Sequence, residues 1–301
     1  MGKKKVRFDF VTMGFIAPAF LFFTLFIIVP TIASVYYSFT SWDGLNPVVK
    51  FVGLANYKEI FTSARFGNAL RNTVILTAFI SILENSMALI LALIVDNVKW
   101  GKNFFRSAFY VPVLISGIVS GFIWKIMYNY NFGAINSIFR SIGMGEACQD
   151  WLGNPKLALI MVGVVLIWKG AGYYMIIYLA SLQSVPTDVV EAAAIDGANR
   201  WQCIKRITLP LITPTICIMI LLEVGKIFCG DFGMVYALVK DSGQLLPKVD
   251  VIDTYVFRML RVTGDPSLSM AVGVYQSIMG FIMVFGSNWL VKKLFPEGAL
   301  F

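Results

Sequence analysis

Six long stretches of the chain are almost continuously apolar, and shorter polar segments separate them. The apolar stretches cover residues 12–38, 72–95, 107–128, 157–183, 209–231 and 268–291. A helix that crosses the hydrocarbon core of a bilayer, which is about 30 Å thick, needs about 20 mainly apolar residues. None of the stretches alternates between polar and apolar residues as the strands of a membrane barrel do. The pattern therefore predicts an all-α integral membrane protein, with residues 1–301 forming a single transmembrane domain of six spans.

The composition excludes several classes of protein. Hydrophobic residues make up 58% of the 301 residues and charged residues 14%, whereas soluble proteins have about 25% charged residues. The net charge of +8 comes from residues scattered at the ends of apolar stretches, so we expect no nucleic-acid partner. The chain has no His and no GxxxxGK[ST] phosphate loop. We therefore expect no enzymatic activity, no metal and no cofactor bound by this chain.

The distribution of Lys and Arg predicts the orientation in the membrane. If residues 1–11 are cytoplasmic, the shorter inner segments carry more basic residues than the longer outer ones, as the positive-inside rule requires. The inner residues are Lys3, Lys4, Lys5, Arg7, Lys99, Lys102, Arg106, Arg200, Lys205, Arg206, Lys292 and Lys293. Both termini and the loop 184–208 are then expected in the cytoplasm. A signal peptide also begins with basic residues, but its apolar core has about 7–15 residues, so we expect a retained first span.

The loop 184–208, between the fourth and fifth spans, is polar and contains helix-breaking residues. Pro186 is expected to break the chain after the fourth span. Thr187 or Asp188 can then cap a short helix over residues 188–196, with Glu191 at capping-box spacing from Asp188.

The second half of this loop predicts a turn and another helix. Gly197 suits a left-handed turn after the first helix, and Asn199 can cap the second. That second helix carries Trp201, Ile204 and Ile207, and Pro210 marks the start of the fifth span. Together the two halves predict a helix-turn-helix elbow. The alternative is an ordinary amphipathic connector in the lipid headgroups, which Lys205 and Arg206 favour.

The elbow sequence resembles the coupling motif of ABC importer permeases. The matching residues are Glu191, Ala192, Ala193, Asp196, Gly197, Ile207, Leu209 and Pro210. Elsewhere the resemblance includes FVGLANYKEIF at 51–61, Asn72-Thr73, FFRSAFYVPVLIS at 104–116, Trp124-Lys125 and IWKGAGYYM at 167–175. On these residues the chain resembles the carbohydrate-type permeases, the family that includes the maltose and glycerol phosphate systems, in its compact six-span form.

This resemblance implies a set of partners and a location. It implies a second permease subunit, so that the pore is a heterodimer, and a dimer of ATPase subunits that dock on the elbows and bind ATP and Mg. It also implies an extracytoplasmic solute-binding protein and a multi-pass location in a prokaryotic cytoplasmic (inner) membrane. The substrate it implies is a sugar. We expect an oligosaccharide rather than a phosphate ester, because few cations are available in the spans to hold a dianion.

Charged residues within the predicted spans are candidates for the substrate path. A charge near the centre of a span costs about 2.5–3.5 kcal/mol on insertion scales, so it should face protein or water. Glu84 and Lys169 lie deepest. Aromatic residues near Lys169 could offer apolar faces and hydrogen-bonding tips to a sugar, namely Trp168, Tyr173 and Tyr174. An ion pair or hydrogen bond between Lys169 and a partner subunit is an equally weighted alternative.

Four other charged residues in or near the spans favour structural roles. Glu223 and Lys226 are three residues apart, so they share a helix face and can neutralise each other. Lys125 and Asp231 lie near the ends of predicted spans, where charged side chains extend to the outer interface.

Two other classes of function compete with the importer permease. An ion-coupled secondary transporter, acting without an ATPase, could use Glu84, Lys169 and Glu223 as a charge relay. The chain shows no clear internal repeat, so it gives no support to an inverted-repeat transporter. A membrane-embedded enzyme is disfavoured by the absence of His and of a paired-carboxylate metal motif.

Overall fold

The computed structural model describes residues 10–46, 48–225, 230–240, 242–243 and 245–294. The first helices are α1 (Phe10–Phe23), α2 (Val29–Tyr37), α3 (Ala55–Thr62), α4 (Ala64–Asn97), α5 (Lys102–Leu114), α6 (Gly117–Met127), α7 (Ala134–Ser141) and α8 (Ala158–Gln183). They are followed by α9 (Thr187–Ile195), α10 (Arg200–Cys203), α11 (Leu209–Gly225), α12 (Phe232–Val239), α13 (Leu246–Val249), α14 (Ile252–Arg258) and α15 (Pro266–Leu294). Segments of π-helix cover Thr24–Ile28, Ile204–Thr208 and Met259–Thr263.

The prediction of an all-helical membrane protein is confirmed. Five helical stretches are long and apolar enough to cross a bilayer, namely Met13–Tyr37, Ala64–Asn97, Ala158–Gln183, Arg200–Gly225 and Pro266–Lys293. Helices α5 and α6 are apolar enough to cross the bilayer together, but they meet at a bend of 100°. If this pair is counted as one broken span, it is the sixth. The described residues therefore contain five or six candidate spans.

The third predicted span, residues 107–128, is wrong as a single helix. Ile115 and Ser116 interrupt it with ψ angles of 133° and 140°, which no helix can continue through. Gly117 is the first residue of α6. The carboxylate of Asp231 lies in the space that a side chain at Gly117 would occupy. Because both arms of the bend are apolar, the sequence pattern did not reveal it.

The chain divides into two compact units, one made of Met1–Ser63 with Val256–Tyr275 and the other of Ala64–Tyr255 with Gln276–Phe301. In the first unit, hydrogen bonds fix α3 to the end of α2. The amide nitrogen of Asn56 donates to the carbonyls of Ser38 and Thr40, both at 2.8 Å. The hydroxyls of Tyr57 and Ser38 also lie 2.8 Å apart. The segment 51–61, which carries part of the family resemblance, thus closes a turn on the first span.

In the second unit, α4 and α8 pack closely because small residues of α4 face large residues of α8. The buried cluster between them contains Ala88, Ala92, Val95, Tyr174, Met175, Tyr178 and Leu182. Helix α5 also approaches α8 closely, since a side chain at Gly172 would meet the backbone carbonyl of Phe109. These contacts make α8 the central helix of this unit.

Candidate functional site

The elbow begins with α9, and the predicted capping of this helix is wrong. Pro186 occupies the position before the helix, and no side-chain hydrogen bond caps it. Thr187 is already the first helical residue, so its hydroxyl donates to the carboxylate of Asp188 at 3.3 Å instead of capping the backbone. Asp188 likewise lies inside the first turn, so it cannot form a capping box with Glu191.

The turn after α9 has the conformation that the sequence predicts at Gly197. This residue has a φ of +88°, in the left-handed region. The amide of Ala198 donates to the carbonyl of Ala193 at 2.9 Å, and the amide of Gly197 donates to that of Ala194 at 3.1 Å. This pair of bonds is a Schellman motif, which satisfies carbonyls at the end of a helix. The chain therefore turns sharply and with a defined geometry.

A reciprocal cap starts the second arm of the elbow. The amide of Gln202 donates to Asn199 Oδ1 at 2.9 Å, and the amide of Asn199 donates to Gln202 Oε1 at 2.7 Å. The predicted capping role of Asn199 is thus correct, and Gln202 completes a capping box.

The second arm does not end where the fifth span was predicted to begin, at residue 209. It continues through the π-helical segment Ile204–Thr208 into α11, so Arg200–Gly225 is one helical stretch. Pro210 has no amide hydrogen to donate. The widened turn just before it, in which the amide of Leu209 donates to the carbonyl of Ile204, lets the helix pass this residue. The described part of the stretch runs to Gly225, and Gly230 and Asp231 are not helical, whereas Lys226 and Cys229 lie outside the described residues.

The predicted coupling residues lie on an exposed surface of the elbow. Glu191, Ala192, Asp196, Gly197 and Pro210 are exposed, whereas Ala193, Ile207 and Leu209 are partly buried. Large apolar side chains also face outward, with Ile195 87% and Trp201 67% exposed. A notch of about 280 Å³ lies between the two arms and is lined by Asp196, Gly197, Ala198, Gln202, Arg206 and Ile207. The elbow therefore presents small, apolar and charged groups around a concave centre.

A cavity of about 280 Å³ lies in the second unit, which also contains the elbow. Four of the five predicted substrate-path residues line it, namely Glu84, Lys169, Tyr173 and Tyr174. Trp168 does not line it, and its ring packs against Trp124 with the ring centroids 5.3 Å apart. Residues four apart share a helix face, which places Lys169 and Tyr173 together.

Glu84 reaches the cavity wall from α4 and is buried. Its carboxylate occupies the space where a side chain at Gly170 would lie. The glycine therefore lets the carboxylate of α4 lie directly against the backbone of α8.

Asp231 lies at this cavity, so the prediction that it extends to the outer interface is wrong. Its carboxylate accepts a hydrogen bond from the amide of Met234 at 3.1 Å and caps α12. Its Oδ2 lies 3.4 Å from Lys169 Nζ. The sequence placed Asp231 at the end of the fifth span, but Asp231 is not helical and caps α12, which packs on α6. Lys125 is partly buried in the last turn of α6.

Glu223 also lines the cavity and is buried. Tyr174 and Glu223 both line the cavity, and the two side chains interact electrostatically. The amide nitrogen of Asn85 lies 3.4 Å from Glu223 Oε2, and Tyr178 donates to Asn85 Oδ1 at 2.6 Å. The structure thus links Glu223 to both α4 and α8, whereas its predicted pairing with Lys226 involves a residue outside the described ranges.

Asp253 is a lining residue that the sequence did not predict. It accepts hydrogen bonds from the amide of Gly230 and the side chain of Gln276, both at 2.7 Å. Burial raises the pKa of the Asp253 carboxyl, and these two hydrogen bonds oppose that shift. Asp253 lies in α14, outside the candidate spans, and no pattern in the sequence relates it to the spans.

The motif Asn72-Thr73 places the beginning of α14 beside the cavity. The side chain of Asn72 donates to the carbonyl of Asp250 at 3.0 Å. The amide of Ile252 donates to Thr73 Oγ1 at 2.9 Å. These two buried side chains hold the backbone that carries Asp253. Among the residues that the structure describes, no cluster of His, Cys, Asp and Glu could hold a metal ion.

Comparisons with known proteins match nearly the whole chain. Residues 84–296 match the family model "Binding-protein-dependent transport system inner membrane component". The chain is 35% identical over 273 residues to AmyD of Thermoanaerobacterium thermosulfurigenes, a probable starch degradation products transport system permease protein, with 90% of this chain and 88% of AmyD covered. It is 34% identical over 214 residues to MsmF of Streptococcus mutans, a multiple sugar-binding transport system permease protein, with 71% and 72% covered.

A solved structure has a similar fold. The match is a chain of a bacterial alginate ABC transporter in complex with an alginate pentasaccharide-bound periplasmic protein. The TM-score is 0.85 at 25% sequence identity, and the match covers 95% of each chain.

Proposed function

The chain belongs to the family of binding-protein-dependent transport system inner membrane components, and we propose that it forms half of the translocation pore of an ATP-driven oligosaccharide importer. It is a multi-pass protein of the inner membrane. In each transport cycle the pore would alternate between an outward-open and an inward-open state. The energy for this cycle comes from ATP hydrolysis on partner subunits.

The geometry of the elbow is the main support for this proposal. A motor that moves a membrane helix needs a firm grip on a stiff element. The elbow provides both, because its turn is fixed by the Schellman motif at Gly197 and its second arm is fixed by the box between Asn199 and Gln202. The second arm is also continuous with the fifth span over Arg200–Gly225. A force applied at the elbow would therefore act directly on this span.

The elbow is also connected to the cavity through α8. Tyr174, which lines the cavity, and Gln183, which ends α8, are nine residues apart, or about 14 Å at a rise of 1.5 Å per residue. Helix α8 therefore forms part of the cavity wall and leads, at its C-terminal end, into the elbow. This connection supports a cycle in which movement of the elbow changes access to the cavity.

The proposed partners follow from the family and from the surface of the elbow. An ATPase dimer, with ATP and Mg bound to it, would dock on the elbow of this chain and of a second permease subunit that completes the pore. A solute-binding protein would deliver the sugar from outside. A periplasmic protein with bound alginate pentasaccharide accompanies the transporter of similar fold, which supports this partner. Both termini and the elbow are assigned to the cytoplasm.

The proposed substrate path runs along the cavity lined by Glu84, Lys169, Tyr173 and Tyr174. Tyr173 is exposed enough to offer a ring face to a sugar. The cavity's carboxylates, such as that of Glu84, can accept hydrogen bonds from the hydroxyl groups of the sugar. The names of AmyD and MsmF, a starch-product permease and a multiple-sugar permease, support an oligosaccharide as the substrate.

The test is sugar uptake by proteoliposomes that contain the assembled complex. We expect uptake to require ATP and the binding protein. Glu191→Lys should abolish it while leaving membrane insertion and ATP hydrolysis by the partners intact, because it reverses a charge on the exposed face of α9. Glu146→Lys, which reverses the charge of an exposed residue in an outer loop, is the matched control. Uptake that is driven by an ion gradient without ATP would instead establish the ion-coupled carrier.

A further inference from the structure

We propose that the cavity selects uncharged oligosaccharides and excludes carboxylated ones, an inference that rests on the proposed function. A transporter of similar fold imports alginate, which is an acidic polysaccharide. A permease of this fold can therefore carry a charged substrate, and the residues that line its cavity help to set the charge preference.

The lining of the cavity is rich in acidic groups. Four carboxylates contribute to it, from Glu84, Glu223, Asp231 and Asp253. Among the residues that the structure describes, the lining contains one cation, Lys169, and it lies 3.4 Å from Asp231. Lys226 lies outside the described residues, and counting it as a second lining cation still leaves four carboxylates against two ammonium groups.

A carboxylated sugar would meet two obstacles in this lining. Placing like charges side by side in an interface disfavours binding, and this repulsion grows where protein replaces water. Selective binding of a carboxylate uses charged donors, Arg above all. No Arg is found among the described lining residues. Protonation of the buried carboxyls would remove repulsion but would supply no cation for the substrate.

An uncharged sugar fits the same lining. Its hydroxyls are hydrogen-bond donors, and carboxylate oxygens are acceptors that can take several such bonds. The ring of Tyr173, which is 45% exposed, offers an apolar face to the C–H groups of a pyranose. The acidic lining therefore serves as an array of acceptors for hydroxyl groups.

The test compares neutral and uronate oligosaccharides of equal length in the complete complex. Maltotriose, cellotriose and xylotriose form the neutral set, and trigalacturonate and trimannuronate form the acidic set. Uptake is measured in proteoliposomes at pH 7 with ATP and the binding protein. Because that protein also selects substrates, binding to the complex alone is measured in nanodiscs by saturation-transfer NMR.

We expect at least one neutral trisaccharide to be taken up and to bind the complex, with the uronates at least about tenfold weaker in both assays. Uronate uptake and binding equal to or better than those of the neutral sugars would overturn the charge preference. Failure to take up any sugar with ATP and the binding protein present would instead contradict the proposed function itself.

A matched pair of variants tests whether the lining sets the preference. Asp253→Asn removes one negative charge from the cavity. Its amide oxygen can still accept from the amide of Gly230, and its NH2 group can donate to Gln276 once that side-chain amide turns over. We expect it to narrow the difference between neutral and uronate binding by about threefold or more. Asp150→Asn makes the same change in an outer loop and should leave the ratio as it is in the unaltered complex. Equal ratios in all three proteins would contradict a role for the acidic lining.

Discussion

Lys169 Nζ on α8 lies 3.4 Å from the carboxylate of Asp231, and the same carboxylate caps α12 through the amide of Met234. One side chain thus joins a span, a cavity wall and the beginning of a short helix. Both side chains are partly buried, at 20% and 31% exposed. An ion pair of this kind adds modest stability, whereas the cap has a larger and more regular effect.

Separate variants can resolve these two contributions of Asp231. Asp231→Asn keeps a capping oxygen and removes the charge, so it should cost about as much as Lys169→Met, up to about 1 kcal/mol. Asp231→Ala also removes the cap and should cost about 1 kcal/mol more. Thermal unfolding of the purified complex measures these differences. Equal stability of Asp231→Asn and Asp231→Ala would show that the cap contributes nothing.

Close packing of α5 against α8 predicts a strong effect at Gly172. Gly172→Ala places a methyl group against the backbone carbonyl of Phe109, and overpacking of this kind costs about 1–3 kcal/mol. The control is Gly67→Ala in α4, where no atom lies within 4 Å of the added carbon. We expect the control to be neutral or slightly stabilising. The measurement is the unfolding temperature, and a Gly172→Ala protein as stable as the control would contradict the helix contact.

The buried hydrogen bond from Tyr178 to Asn85 predicts a cost for losing one hydroxyl. Tyr178→Phe leaves Asn85 Oδ1 without the donor that lies at 2.6 Å. An unsatisfied buried group costs about 1–3 kcal/mol. Tyr36→Phe, at an exposed position of α2, is the control and should have little effect on the unfolding temperature. An equally small effect at Tyr178 would mean that this hydrogen bond adds no net stability.

The conformation of the elbow predicts an effect on coupling rather than on assembly. Gly197→Ala forces a side chain into the left-handed region, which costs about 1–2 kcal/mol, and Asn199→Ala removes a cap worth about 1 kcal/mol. Both changes soften the elbow, so we expect severalfold less sugar taken up per ATP hydrolysed. Gly145→Ala, at a loop position with free space around it, is the control. A ratio of uptake to hydrolysis that stays constant in both elbow variants would contradict the proposed lever.

Local sequence chemistry predicted the turn of the elbow well. Gly197 and Asn199 act through their own backbone and near neighbours, so their roles can be read from residue type and spacing. The cap at Thr187 was mispredicted because Pro186 already takes the position outside the helix, and a shift of one residue moves a capping side chain into the first turn. Boundaries of helices are sensitive to such shifts, while the presence of a long apolar helix is not.

The cavity was only partly predictable, since it depends on contacts between distant segments. Glu84 and Lys169 stand out because a charge in an apolar run needs a partner or water. Asp253 has no such signal, and it reaches the cavity only because Asn72 and Thr73 hold the backbone before α14. The bend before Gly117 was hidden for a related reason, because the residues on both sides of it are apolar. Hydrophobic patterns predict spans, but they do not predict which polar residues meet between them.

Photocrosslinking from the elbow tests whether an ATPase subunit docks on this surface. A benzophenone amino acid replaces Ile195, which is 87% exposed on α9, and the control replaces Leu45, which is 92% exposed in the loop after α2. Crosslinks are identified by mass spectrometry in native membranes that contain the complete complex. We expect position 195 to crosslink to an ATPase subunit and position 45 not to do so. Crosslinks from position 195 to lipid or to the solute-binding protein, with none to an ATPase subunit, would contradict this expectation.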